Sequence, residues 1–237
     1  MQFDVILQRD SIALFAHGIG LTLALLALSL GFGMLLSLPM SILRSSDRRW
    51  LWGPVWLYTY VIRGTPLLVQ VYLIYYGVAQ LDYVQARWDQ IWPWTLFKGP
   101  LFCTLLAFVI NTTAYTIEIL AGAIRATPPG EIEAGRSVGL SEWQLYSRIL
   151  LPSALRRSLP SYSNEVILML QSTSVASVVP SLIDITGAAG SIYSTYYLPF
   201  EAYVTAAAIY LALTLMIVTL FRGLERIFLA HLAARPA

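Results

Sequence analysis

Residues 131–152, EIEAGRSVGLSEWQLYSRILLP, form a charged segment set between hydrophobic blocks. Read as a helix, the segment puts Ile132, Val138, Trp143 and Tyr146 near one side, with Glu131, Glu142 and Arg148 on others. Such a stretch suits a docking helix at a surface, not a membrane-spanning one. An ordinary surface helix in a connecting loop is the alternative reading.

The internal spacing narrows the choice. Glu133-Ala134-Gly135 is followed by three residues, Gly139, nine residues, Ile149, one residue and Leu151-Pro152. This pattern resembles the cytoplasmic "EAA" loop of permease subunits in bacterial ABC importers, with Gly135 in place of the final alanine of the triplet. The resemblance implies a short coupling helix that seats in a groove of a separate ATPase subunit. Small residues at 134, 135 and 139 would allow close approach, Trp143 and Tyr146 would anchor, and Glu133 would help couple.

Composition sets the setting of that loop. Of 237 residues, 57% are hydrophobic and only 12% charged, with a mean hydropathy of +0.67, which is the composition of an integral membrane protein. Long apolar runs predict spanning helices rather than the short alternating segments of a barrel. The single Cys103 excludes an internal disulfide and a cysteine-rich metal site. Lys98, the only lysine, lies between Phe97 and Gly99, so the chain carries no Gly-Lys-Ser/Thr phosphate loop. Any ATP that drives the protein is hydrolysed by another chain.

Five spans are predicted, at about 12–42, 66–80, 100–124, 161–181 and 201–221, with the coupling loop at 125–160, in a single all-α membrane domain. The start, with Asp4, Arg9 and Asp10 and no basic n-region, reads as an uncleaved anchor. Gly18, Gly20, Gly31 and Gly33 offer close-packing faces on the first span. Trp50, Trp52, Trp56, Tyr58 and Tyr60 read as an interfacial aromatic belt, along which the chain lies before it enters the bilayer. Arg63-Gly64-Thr65-Pro66 then breaks the helix, because Pro66 has no amide hydrogen and restricts Thr65. RGTPLLVQ at 63–70 resembles a signature of the polar amino acid permeases. For Arg63, a structural role at the break and a substrate contact both stay open.

Polar residues inside the spans mark the candidate substrate site. Asn111, Tyr115 and Glu118 recur at i, i+4 and i+7 on the third span. Asn164 and Gln171 form one row on the fourth, with Glu165 and Ser172 beside them. Ionisable groups at that depth must face protein or water, so both carboxylates should point away from lipid; pairing of Glu118 with an arginine of a neighbouring helix is the alternative. Counting residues from Arg125 and Pro160 puts Glu118 and Glu165 at similar depth, roughly 10 Å from the inner surface at ~1.5 Å per residue. A cavity lined by Asn111, Tyr115, Glu118, Glu165, Gln171 and Ser172 would be acidic below and amide-bearing above, suited to an amino or guanidinium group.

Orientation follows from the basic residues. Arg44, Arg48, Arg49, Arg125, Arg136, Arg148, Arg156, Arg157, Arg222, Arg226 and Arg235 fall on one side, and Arg9, Arg87 and Lys98 on the other. Eleven against three places the N-terminus outside, and the C-terminal tail with its His231 and the coupling loop in the cytoplasm.

Across nearly its whole length the chain resembles a membrane subunit of the histidine/arginine/ornithine class of ABC importers. NTTAYTIEILAGAIRATPPGEIEAG at 111–135, ILLPSALRRSLPSYSNEVILMLQSTS at 149–174 and YYLPFEAY at 196–203 carry this together with RGTPLLVQ. The resemblance implies the five-span type I importer permease fold in the bacterial inner membrane. It also implies a homologous second permease (or a second copy), two cytoplasmic ATP-binding subunits, a periplasmic amino-acid-binding protein and no cofactor. Related permeases carry lysine where this chain has Gln171, a change that favours a cationic substrate such as arginine, ornithine, lysine or histidine. Opines or neutral polar amino acids on the same machinery are the alternative, and a proton-coupled carrier using Glu118 and Glu165 is another. A carrier has no use for the EAA spacing. An intramembrane enzyme finds no paired nucleophile and base.

Overall fold

The computed structural model describes residues 2–92 and 94–229 and is helical, with no strand among them. His231 and Arg235, counted above for the cytoplasmic tail, lie outside the described residues. The principal helices are α1 (Arg9–Arg44), α2 (Arg49–Arg63), α3 (Leu67–Tyr72), the short α4 (Asp82–Gln85), α5 (Pro100–Arg125), α6 (Pro129–Ser137), α7 (Glu142–Leu145), α8 (Leu151–Ser172), α9 (Ile185–Tyr196) and α10 (Pro199–Phe228).

Three of these, α1, α5 and α10, are long and apolar enough to cross a membrane. A fourth candidate is the pair formed by α2 and the segment Leu67–Gln80, which meet at a 101° bend. Helix α8 does not reach the same apolarity, because Arg156, Arg157, Asn164 and Glu165 lie along it. That is the polar stripe expected of a helix that faces protein or water.

Helix α5 is the centre of the fold, with α1, α2, α3 and α8 packed around it. Phe108, Ile117 and Leu120 on α5 are fully buried, as are Leu25 on α1, Val71 on α3 and Leu170 on α8. The α1 face against α5 is small and polar. Ser29, Ser37 and Ser41 are buried there, and each hydroxyl donates to a carbonyl three residues back in its own helix (2.8–3.0 Å). They therefore act as compact spacers that let the two backbones approach.

Of the four α1 glycines, Gly18 and Gly33 meet neighbours, whereas a methyl on Gly20 or Gly31 would meet open space. A Cβ on Gly18 would lie 2.7 Å from the carbonyl oxygen of Asp184 and 2.9 Å from the nitrogen of Ile185. Both are backbone atoms at the start of α9, so they cannot swing aside. Gly18→Ala is expected to cost about 1–3 kcal/mol by overpacking, read as a lower midpoint of thermal unfolding in detergent; an unchanged midpoint would refute the tight α1–α9 junction.

Residues 182–199, between the fourth and fifth predicted spans, hold a helix. Helix α9 packs on α1 and α10 through Ile185, Ala188, Ala189 and Ile192, all buried.

The aromatic segment forms α2, which turns one side to α5. Helix α2 lies beside the Arg125 half of α5, with Val55 and Thr59 buried. Tyr58 donates to the carbonyl of Ile110 at 2.6 Å, and Thr59 donates to Glu118 at 2.7 Å. The reason is amphipathicity at close quarters: one face of α2 carries hydroxyls that find partners on α5, while Trp50, Trp56 and Tyr60 stay exposed on the other.

Candidate functional site

The break at Gly64-Thr65-Pro66 is held open by one side chain. Helix α2 ends at Arg63 and α3 begins at Leu67, which leaves the last carbonyls of α2 without helical partners. The amide nitrogen of Gln70 donates to the carbonyls of Ile62 (2.7 Å) and Thr65 (3.0 Å) and to the Thr65 hydroxyl (2.9 Å). Its amide oxygen accepts from Asn111 on α5 at 3.0 Å. Gln70 thus clasps the bend and fixes it to the central helix. No expectation attaches to Gln70 beyond its membership of RGTPLLVQ.

Beside this bend is a cavity of about 480 Å³, lined by Arg63, Gly64, Thr65, Pro66, Asn111, Tyr115, Glu165 and Ser172 among others. Its size falls in the usual range of small-molecule sites, roughly 300–1,000 Å³. Four of the six expected substrate residues, Asn111, Tyr115, Glu165 and Ser172, meet here, together with the whole Arg63–Pro66 signature. Arg63 stands at the C-terminal end of α2, where a cation is favoured by the helix dipole. Its guanidinium lies 5.1 Å from the centre of the Tyr115 ring. Glu165 is 5% exposed, and its Oε1 accepts from Thr112 at 2.9 Å.

Glu118 and Gln171 are placed apart from this cavity. Glu118 accepts from Arg44 Nε and from Thr59, both at 2.7 Å, and lines an adjoining cavity with Arg44, Thr59 and Arg63. The pairing with a neighbouring arginine, held open as the alternative for Glu118, is what the structure has. Gln171 is exposed on α8 and is absent from the cavity lining, because it lies one residue before Ser172 and so about 100° around the helix.

The segment expected as a coupling loop holds two helices, α6 and α7, rather than the one expected. Helix α6 ends in a Schellman arrangement: the Gly139 amide donates to the carbonyl of Arg136 (3.0 Å) and the Leu140 amide to that of Gly135 (3.2 Å). Gly139 has φ +80°, and a Cβ there would meet no atom within 4 Å. Glycine suits the left-handed backbone that this turn requires. Ser141 then starts α7 with a capping box, its hydroxyl accepting from the Gln144 amide while the Gln144 side chain accepts from the Ser141 amide.

Small size is used at Gly135, but within the loop itself. A Cβ there would lie 2.6 Å from Leu145 Cδ1 and 2.7 Å from Ile149 Cδ1. Glu133, Ala134 and Gly139 are exposed, Val138 and Trp143 are 75% and 73% exposed, and Tyr146 is half-buried. Burial, with Glu142 and Asp47 nearby, raises the Tyr146 hydroxyl above the usual tyrosine pKa and keeps it neutral.

Arg157 ties this loop to the helices above it. It donates to the hydroxyl of Thr127 at 2.6 Å, reaches the Ala123 carbonyl at 3.5 Å, and lies 3.6 Å from Glu131. Ser153 also donates to Glu131, at 3.3 Å. These contacts join α6 to the ends of α5 and α8, the two helices that supply Asn111, Tyr115, Glu165 and Ser172.

Comparison with known proteins places this arrangement. A family profile described as "Binding-protein-dependent transport system inner membrane component" matches residues 29–228. The histidine/lysine/arginine/ornithine transport system permease protein HisM of Salmonella typhimurium is 45% identical over 220 residues, covering 92% of this chain and 91% of that protein. The nopaline transport system permease protein NocM of Agrobacterium fabrum is 40% identical over 235 residues, 99% of this chain and 95% of that one. Among solved structures, an amino acid ABC transporter crystallised with histidines matches with a TM-score of 0.76 at 33% identity, over 92% of this chain and 95% of the other. The MetNI methionine transporter in an inward-facing form shares the fold, with a TM-score of 0.75 at 16% identity over 93% of this chain and 99% of the other. The chain belongs to the family of binding-protein-dependent transport system inner membrane components, the membrane permease subunits of ABC importers, in which ATP hydrolysis is carried by separate subunits.

Proposed function

We propose that this permease imports cationic amino acids, of the arginine, ornithine, lysine and histidine class, and that the cavity at the α2–α3 bend is its substrate site. The observation that carries this reading is that Arg63 and Glu165 line the same cavity. An amino acid with a basic side chain presents a carboxylate to the first and an ammonium or guanidinium to the second. Asn111, Tyr115 and Ser172 add hydrogen-bonding groups to the wall. The HisM relative, named for these four substrates, supports the assignment.

Substrate would reach the site from a periplasmic binding protein, and the chain would pair with a second permease subunit or a second copy of itself. Two ATP-binding subunits would grip the coupling loop, with exposed Val138 and Trp143 as apolar anchors and Glu133 at the rim. ATP-driven closure of those subunits would move α6, and the Arg157 ties would carry the motion to α5 and α8. The five-span count and the outside N-terminus belong to the same proposal, on the excess of arginines flanking the loop.

The opine reading has its own support, because NocM and the octopine permease OccM of Rhizobium meliloti are both 40% identical to this chain. Uptake into vesicles with trapped ATP separates the readings: arginine and ornithine should compete for transport and octopine should not. Glu165→Gln should lower arginine uptake by about ten- to a hundredfold, the loss of a charge-assisted contact, with a smaller effect on a neutral analogue such as citrulline. Equal effects on the two ligands would sink the assignment of Glu165 to the basic side chain.

A further inference from the structure

Three cavities lie end to end along α2 and share lining residues. The substrate cavity shares Arg63 and Gly64 with one of about 280 Å³, which contains Glu118 and Arg44. That one shares Arg44 and Trp56 with a third of about 570 Å³, which contains Asp47 and Arg125. Each therefore holds a carboxylate and at least one guanidinium: Glu165 with Arg63, then Glu118 with Arg63 and Arg44, then Asp47 with Arg44 and Arg125. A different groove leaves the substrate cavity along α8, past Ser161 and Asn164, and offers no cation.

The two inner carboxylates are held alike. Glu165 is fixed through Oε1 by Thr112, and Glu118 through Oε1 by both Arg44 and Thr59. Among the described residues no hydrogen-bond donor reaches Oε2 of either. A carboxylate pinned on one oxygen and unfilled on the other, beside a cavity, is built to receive an ammonium or guanidinium. Of these two grooves, the one along α2 gives a ligand with both charges counter-charges at every step.

We propose that the α2 groove is the inward route of the substrate and that Glu118 is its second cation-binding station, with Arg44 released from Glu118 to meet the substrate carboxylate. This rests on the reading of the Arg63–Glu165 cavity as the first station. The merely structural explanation makes Arg44–Glu118 a strut between α1 and α5.

The test uses the complete transporter in vesicles with trapped ATP, with labelled arginine followed by uptake and by equilibrium binding. Glu118→Gln should lower uptake about tenfold, from loss of one charge-assisted contact, while copurification of the partner subunits stays at the unmodified level and shows the variant to be folded. The exchanged pair Arg44→Glu with Glu118→Arg should recover thermal stability but not uptake, because a strut works in either polarity and a route for a cation does not. Normal uptake by Glu118→Gln, or recovery of uptake by the exchanged pair, overturns the second station alone. Loss of arginine binding in Glu165→Gln supports the first station, whereas retained binding and uptake in that variant overturn it and the route together.

Discussion

Gly135→Leu is expected to abolish ATP-dependent uptake and copurification of the ATP-binding subunits, while insertion of the chain and its pairing with the other permease persist. The position is buried, and even a bare Cβ would sit 2.6 Å from Leu145 Cδ1 and 2.7 Å from Ile149 Cδ1. Both are tips of flexible side chains, so an alanine can be accommodated by small rotations, in keeping with the alanine that the EAA pattern has there. A leucine cannot be, and overpacking of this kind costs about 1–3 kcal/mol. The loop is small and has little else to hold α6 against α7: the Arg136–Glu142 pair at 3.2 Å is exposed on both sides and contributes little. Wedging the two apart therefore misplaces Val138 and Trp143, the exposed apolar groups proposed above to meet the ATP-binding subunits. The expected series is full function for Gly135→Ala and none for Gly135→Leu, measured by uptake and by pull-down of the ATPase. Coupled uptake by the leucine variant would show that the internal packing of the loop does not set its docking surface.

The parts of this fold that were legible in the sequence are those set by local chemistry. Apolar block length predicts the long helices, and the charged stretch from Glu131 to Pro152 marks the helical segment between α5 and α8. The division of that loop was legible too, though unread: Gly139 followed by Ser141-x-x-Gln144 is a helix stop and a helix start in succession. Residues whose roles depend on the direction of another helix were not legible. Gln70 becomes a clasp only because α2 and the next segment meet at 101°, which brings the Ile62 carbonyl to its amide. Glu118 and Glu165 are at matching depth by counting, but the courses of α1 and α2 give one carboxylate to Arg44 and Thr59, and the other lines the cavity at the α2–α3 bend. The α1 glycines separated for the same reason. Gly18 and Gly20 differ by two residues and so by about 200° around the helix, and only one faces a neighbour.

Asp184→Ala should destabilise the protein by about 2–4 kcal/mol, combining a lost helix cap with buried groups left unpaired. Asp184 is fully buried at the N-terminus of α9. Its carboxylate accepts from the amides of Thr186 (3.1 Å) and Gly187 (2.9 Å), and from the Tyr210 hydroxyl of α10 at 3.0 Å. Its own backbone carbonyl is the group against which Gly18 of α1 is packed. One residue thus joins three helices through directional bonds in a region where the packed side chains are mostly alanine and isoleucine. Alanine would leave two helix N–H groups and the tyrosine hydroxyl poorly satisfied, with only the 3.4 Å contact to Thr186 remaining for Tyr210. Asparagine keeps the acceptor for the Gly187 amide and turns a donor toward Tyr210, whose oxygen can accept, giving up only the Thr186 amide contact on the same atom. The expected ranking of unfolding midpoints in detergent is therefore aspartate, then asparagine close behind, then alanine well below. Alanine matching asparagine would mean that packing alone holds α9 in place, and that the cap contributes nothing measurable.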